Sequence, residues 1–173
     1  MQAELDFDSL YRLMEASFPP TEFRTYEGQK RLLEDKRYRV IAKKGPDGQT
    51  NAFIAVWEFP EFRFLEHTAV DPSLRGQGVG GRMLSAFAAE SSIPVLLEVE
   101  PPETEWASRR IGFYERLGFT LNPYPYEQPP LRKNQAPLPL LIMSHLLPLT
   151  ESEFLHFRDT VYREVYRVPA AEI

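Results

Sequence analysis

The residue types and spacing best suited to chemistry lie in residues 68–87, Thr-Ala-Val-Asp-Pro-Ser-Leu-Arg-Gly-Gln-Gly-Val-Gly-Gly-Arg-Met-Leu-Ser-Ala-Phe. Glycines stand at 76, 78, 80 and 81. Without a Cβ they take left-handed turns easily and let backbone N–H groups approach a ligand closely. A helix starting there adds unpaired N–H donors and the positive end of its dipole. Arg75, Gly76, Gln77, Gly78, Val79, Gly80 and Gly81 are therefore candidates for holding a pyrophosphate. Val79, Met83, Leu84 and Phe87 give the helix one apolar stripe for packing on a sheet. A Walker loop would end in Gly-Lys-Ser/Thr, whereas this chain has Gly80-Gly81-Arg82. Gly76-Gln77-Gly78-Val79-Gly80-Gly81 has the spacing of a dinucleotide fingerprint. It follows antiparallel-looking strands, however, and the acidic residue expected at the end of the next strand is poorly matched.

Arg75-x-x-Gly78-x-Gly80, placed after Ala69-Val70-Asp71-Pro72, resembles the loop of the GNAT superfamily, the GCN5-related N-acetyltransferases. Residues 109–119, Arg-Arg-Ile-Gly-Phe-Tyr-Glu-Arg-Leu-Gly-Phe, resemble a second segment of that family. The resemblance covers roughly residues 38–144. It implies the GNAT acyl-CoA N-acyltransferase fold: a mixed, mostly antiparallel α/β sheet with splayed central parallel strands, flanked by helices. It implies acetyl-CoA as cosubstrate, no metal, and a primary amine on a small molecule or peptide as acceptor. Main-chain groups of Thr68, Ala69 and Val70 would hold the pantetheine arm, and residues 75–81 the pyrophosphate.

Three residues are candidates for taking the proton of the amine. Glu98 lies in a Leu-Glu-Val context like that of the base in ribosomal-protein N-terminal acetyltransferases. Glu66 and His67 lie on the strand before the loop. Strict alternation puts Glu66 and Thr68 on one face and His67 and Ala69 on the other, so one of the pair faces the acceptor. A buried carboxylate needs a partner, solvent or a role, and histidine titrates nearest working pH. Tyr114 occupies the family's place for the acid that protonates the leaving thiolate. A phenol of pKa about 10 can donate to a thiolate whose acid has pKa near 8.5. Direct attack in a ternary complex needs no covalent enzyme intermediate, in keeping with a chain that has no cysteine. In one respect the chain departs from the family: Ala107 stands where many members have a cofactor-contacting Asn. That departure keeps open the alternative of a non-catalytic acyl-CoA-binding or sensing module.

The elements that must position these residues can be read in order. A helix capped by Asp8 runs to about Ser17, stopped by Pro19-Pro20, with Leu10, Leu13 and Met14 inward. A second helix, capped by Thr25, covers about residues 26–35 with Leu32 and Leu33 inward. By resemblance the connection between them borders the acceptor, making Phe18, Phe23 and Tyr26 pocket candidates, although aromatic residues more often serve the core. Strands follow at 38–43, 51–59 and 62–70, and a near-continuous apolar strand at 95–99. Thr104 caps a helix at 105–117 that ends at Gly118. Strands at 119–126 and 138–145 flank a long loop at 127–137. Tyr124 and Tyr126 are candidates for an aromatic wall, with packing the commoner use. Thr150-Glu151-Ser152-Glu153 is a capping box opening a helix to about residue 167.

At 173 residues the chain divides into a GNAT domain at 1–149 and a helical extension at 150–173 packed on it, with a homodimer contact as another use of that helix. A net charge of −5 argues against a nucleic-acid partner. No apolar run is long enough for a membrane. The acidic first ten residues lack the features of a signal peptide, so the expected location is cytoplasmic.

Overall fold

The computed structural model describes residues 4–173, so the first three residues of the acidic N-terminal stretch lie outside the described residues. The chain forms two compact units, the first ending at Ile93 and the second spanning Pro94–Ile173.

In the first unit, α1 (Phe7–Ser17) and α2 (Tyr26–Arg31) precede strands β1 (Tyr38–Lys44), β2 (Thr50–Glu58) and β3 (Arg63–Val70), and α3 (Val79–Ala89) follows. The cap of α1 is Asp6, two residues before the predicted one. Its carboxylate accepts from the Ser9 N–H, while Asp8 accepts from the Tyr26 hydroxyl instead. The inward face is the predicted one, with Leu10, Leu13 and Met14 buried together with Phe7 and Tyr11. The second helix is shorter than predicted and passes into a 3-10 turn at Leu32–Glu34. Its buried residue is Gln29, whose amide donates to the Tyr38 hydroxyl at 3.0 Å; Leu32 and Leu33 are only half-buried. β1, β2 and β3 pair antiparallel in sequence order. Trp57, Phe53, Phe64 and Phe87 are fully buried and anchor this core.

One detail of β3 was not predicted. Ala55 pairs with His67, but Val56 pairs with Leu65, so Glu66 is an extra residue, a β-bulge. The bulge reverses the alternation at that point. His67 comes to share a face with Glu66, Phe64 and, across the pair, Ala55 and Trp57. Strict alternation had put Glu66 and His67 on opposite faces; the extra residue overturns that.

Arg63, at the start of β3, fixes the far end of α3. Its guanidinium donates to the carbonyls of Phe87 (2.6 Å), Ala88 (3.0 Å), Ser91 (3.1 Å) and Ile93 (2.7 Å). A cation at a helix C-terminus satisfies the last carbonyls and suits the dipole.

In the second unit, β4 (Val95–Val99), α4 (Glu105–Arg116), β5 (Phe119–Gln128), β6 (Leu138–His145) and α5 (Glu151–Glu164) follow in order. β6 pairs antiparallel with both β4 and β5. Thr104 caps α4 by accepting from the Ala107 N–H, and Gly118, at φ 93°, follows its end. The capping box at Thr150 and Glu153 is formed in both directions. α5 packs Phe154 and Phe157 on β5, with Tyr124 stacked on Phe154 at 4.9 Å. Residues 150–173 thus belong to the second compact unit. Among the described residues no helix is long and apolar enough to cross a membrane.

Candidate active site

The glycine turn is built from β3 outward. The Asp71 carboxylate accepts from the N–H (2.9 Å) and hydroxyl (2.6 Å) of Ser73 and holds the 3-10 turn Pro72–Leu74. Gly76 and Gly78 then take φ of 80° and 70°, a region that L residues rarely adopt. Gly78 is the cap residue of α3 and provides no side-chain acceptor. The first bond of the helix runs from the Arg82 N–H to the Gly78 carbonyl at 3.0 Å. The N–H groups of Val79, Gly80 and Gly81 are therefore not used by the helix itself. A Cβ on Gly80 would sit 3.2 Å from Val70 Cγ2 and 3.9 Å from Thr68 Oγ1, so glycine is what lets the first turn of α3 approach β3 so closely. The Arg82 guanidinium donates to the Gln77 carbonyl at 2.6 Å and braces the turn. Arg75 and residues 76–78 are exposed. This donor set, with arginines on both sides, fits a pyrophosphate.

The main chain of β3 divides by parity. The Asp71 N–H donates to the Asn51 carbonyl, so Ala69 and His67 fall in hydrogen-bonded pairs with β2. Thr68 and Val70 fall in the non-hydrogen-bonded pairs, and their N–H and C=O groups point away from β2. Of the three main-chain candidates, Ala69 is thus committed to β2, while Thr68 and Val70 present groups to the other edge.

Glu66 and His67 both face the α1–α2 connection. Glu66 accepts from the Arg24 guanidinium at 2.7 Å through one oxygen and from the Trp57 indole N–H at 2.8 Å through the other. Burial pushes its carboxyl up, but Arg24, the His67 charge and the two hydrogen bonds outweigh burial and hold it below the usual carboxylate range. His67 Nε2 lies 2.6 Å from the Glu22 carbonyl, which makes that nitrogen the protonated one in the neutral ring. Nδ1 is buried and has no partner among the described residues. Burial drives the imidazole pKa down; Glu66 and the Glu22 carbonyl oppose this without cancelling it. Phe18 packs edge-on against His67 at 5.1 Å.

Glu98, on β4, is half-buried between the buried Leu97 and Val99. The Tyr126 hydroxyl donates to one of its oxygens at 2.5 Å and the Tyr166 hydroxyl to the other at 2.7 Å. Burial first, and then the Glu98 charge, push the Tyr126 phenol well above its usual pKa, so it stays a donor. Tyr114, on α4, is 3% exposed, with its ring edge-on to Phe113 at 5.2 Å and Phe119 at 5.8 Å. Ala107 is buried, and its N–H is taken by the Thr104 cap. The residues from Glu66 to Gly81 thus belong to the first unit, and Glu98 and Tyr114 to the second. The sequence reading missed the partners of the carboxylates: Arg24 and Trp57 for Glu66, Tyr126 and Tyr166 for Glu98. No local pattern marks such pairs; only the residue types were visible. Among the described residues no group of acidic or histidine side chains could hold a metal ion.

A solved structure of a GNAT-family protein from Bacteroides thetaiotaomicron is 35% identical, covers 94% of this chain and 93% of that one, and superposes with a TM-score of 0.84. The Bacillus subtilis (strain 168) protein YjbC, which carries an acetyltransferase name, is 29% identical over 111 residues, 63% of this chain and 55% of YjbC. The chain therefore matches only about half the length of that relative. An aminoglycoside 6'-N-acetyltransferase complexed with coenzyme A is 14% identical over 87% of this chain and 97% of that one, with a TM-score of 0.61, a likeness of fold alone. Residues 35–121, half of the chain, match the family described as the acetyltransferase (GNAT) domain, and the protein belongs to that acyltransferase family.

Proposed function

We propose that the protein transfers an acetyl group from acetyl-CoA to a primary amine, by direct attack in a ternary complex. The observation that carries this reading is the glycine turn: two left-handed glycines and an α3 N-terminus whose first N–H groups lack intrahelical acceptors. Coenzyme A in the structure of a fold neighbour supports the choice of ligand.

Acetyl-CoA supplies the acetyl group as an activated thioester. The N–H groups of residues 79–81, with Arg75 and Arg82, hold its pyrophosphate. Main-chain groups of Thr68 and Val70 hold the pantetheine arm, and the Val70 N–H polarises the thioester carbonyl. Glu98 takes a proton from the acceptor ammonium, and the neutral amine so formed attacks the thioester carbonyl. Tyr114 gives its phenolic proton to the thiolate. Glu66 is already committed as an ionised partner of Arg24, so its work is to hold the α1–α2 connection. His67, neutral with an open Nδ1, is the second candidate for the proton.

Calorimetry with acetyl-CoA on the wild type and on Gly78→Glu tests the ligand. A glutamate there meets a φ of 70° and repels phosphate. Binding lost in the variant supports the reading, and no binding by the wild type overturns it. A panel of spermidine, kanamycin and an alanine-initiated hexapeptide then tests turnover by release of free thiol. Binding without turnover of any amine favours the sensing module.

A further inference from the structure

We propose that Tyr166, together with Tyr126, positions the Glu98 carboxylate for proton transfer, and that the segment beyond α5 is thereby part of the catalytic centre. This rests on the reading of Glu98 as the proton acceptor.

The geometry is specific. Each oxygen of Glu98 receives one phenol, from two distant places in the chain. Tyr126 comes from β5 and is 4% exposed, with its ring against Phe154, Phe157 and Tyr162 of α5. Tyr166 comes from the turn that ends α5. The N–H groups of Val165 and Tyr166 both donate to the Val161 carbonyl, at 2.9 and 3.0 Å. Arg167 takes a φ of 58°, and the Val168 N–H returns to the Tyr162 carbonyl at 2.9 Å. A non-glycine residue held in the left-handed region persists when its surroundings over-determine it, and such positions cluster at functional sites. This turn delivers the Tyr166 hydroxyl to a carboxylate 68 residues away.

The chemistry follows from the pair of donors. A carboxylate has about four lone-pair sites. Two phenols, one on each oxygen, therefore restrain the orientation of the carboxylate. The titratable groups facing Glu98 include Tyr126 from β5, Tyr162 from α5 and Tyr166, with Arg158 and Glu127 beside Tyr162. Donors to the ionised form favour it. Loss of the Tyr166 hydroxyl should therefore raise the pH at which Glu98 loses its proton.

The test compares the full chain with Tyr166→Phe, and uses Tyr162→Phe as a control whose lost hydroxyl bonds the Glu127 carbonyl rather than Glu98. The first readout is carboxyl 13C NMR of glutamate-labelled protein, which follows the Glu98 titration without any acceptor. The second is the pH profile of kcat/KM with acetyl-CoA and the fastest amine of the panel above. Tyr166→Phe is expected to move the Glu98 titration and the acidic limb upward by about one pH unit. It should also lower kcat about tenfold through lost orientation, with the KM for acetyl-CoA unchanged. Tyr162→Phe should leave the titration in place. An unchanged titration in Tyr166→Phe overturns the proposal while the family reading stands. A shifted titration with no turnover of any amine by the wild type overturns the catalytic role together with the function it rests on. A shifted titration with an unmoved acidic limb shows that Glu98 is not the base and equally overturns it.

Discussion

Glu66 and His67 are neighbours with opposite electrostatic fates. Glu66 has a side chain 2% exposed and pairs with an Arg24 side chain 10% exposed. Replacing it by Gln breaks this buried ion pair, which costs roughly 3–5 kcal/mol. Urea unfolding of Glu66→Gln at neutral pH should show that loss; a change below about 1 kcal/mol would mean that Arg24 finds solvent or another acceptor. The two residues also predict separate pH windows. The folded pKa of Glu66 lies below its ordinary 4.5, so its stabilisation is complete above that pH and is lost as pH falls toward the folded value. The folded pKa of His67 lies below its ordinary 6.5, so the unfolded state takes up the proton first. Stability should then fall as pH drops below 6.5 and level off at the lower folded value. Urea midpoints between about pH 7.5 and pH 5 should slope in the wild type and flatten in His67→Gln. An equal slope in both would exclude His67 as the titrating group. Sequence showed that a polar pair stood here. It did not show the bulge that puts both on one face, because a bulge is set by cross-strand register, and register has no local signature in this strand.

At the scale of elements, α3 is held from both ends. Its N-terminus was legible because glycine at 76 and 78 is demanded by left-handed φ, a local property of the chain. Its C-terminus was not legible, because Arg63 lies 24 residues from Phe87 and reads simply as a charged residue starting a strand. Arg63 is 3% exposed and its guanidinium lies 4.5 Å from the Phe87 ring centroid. Arg63→Met retains length and apolar bulk but takes the guanidinium from the carbonyls of Ala88, Ser91 and Ile93, and leaves that of Phe87 with the Glu90 N–H. The expected cost is about 3 kcal/mol, measured by thermal or urea unfolding. Hydrogen exchange should locate the loosening at the C-terminal turn of α3 and the loop to Ile93. Exchange unchanged there would mean that water replaces the guanidinium at little cost. The same contrast runs through the other helices. The caps Thr25, Thr104 and Thr150 were visible because a cap and its partner lie three residues apart. α2 was overestimated because Leu32 and Leu33 suggested a continued helix, where the chain tightens into a 3-10 turn and buries Gln29 instead.

For the whole molecule, family membership was readable because the two defining segments are short and contiguous, while the networks that tie their side chains are not. Arg24 and Glu66 lie 42 residues apart, and Glu98 and Tyr166 lie 68 apart. Such pairings exist only after folding, which is why the candidate carboxylates were found and their partners were missed. The proposed ligand should act on the whole molecule through mass action, since a ligand that binds only the folded state stabilises it by RT ln(1 + [L]/Kd). At a hundredfold excess over Kd this is about 2.7 kcal/mol. For a chain of this size each kcal/mol raises Tm by about 2–4 °C, so acetyl-CoA should raise Tm by about 5–10 °C. Gly78→Glu should lose this shift, because the turn can no longer receive the pyrophosphate. Free pyrophosphate should reproduce part of the shift in the wild type if the turn is the anion site, whereas pantetheine alone should produce little. A full shift with pantetheine and none with pyrophosphate would place the binding energy in the β3 main chain and remove the glycine turn from the proposed mechanism.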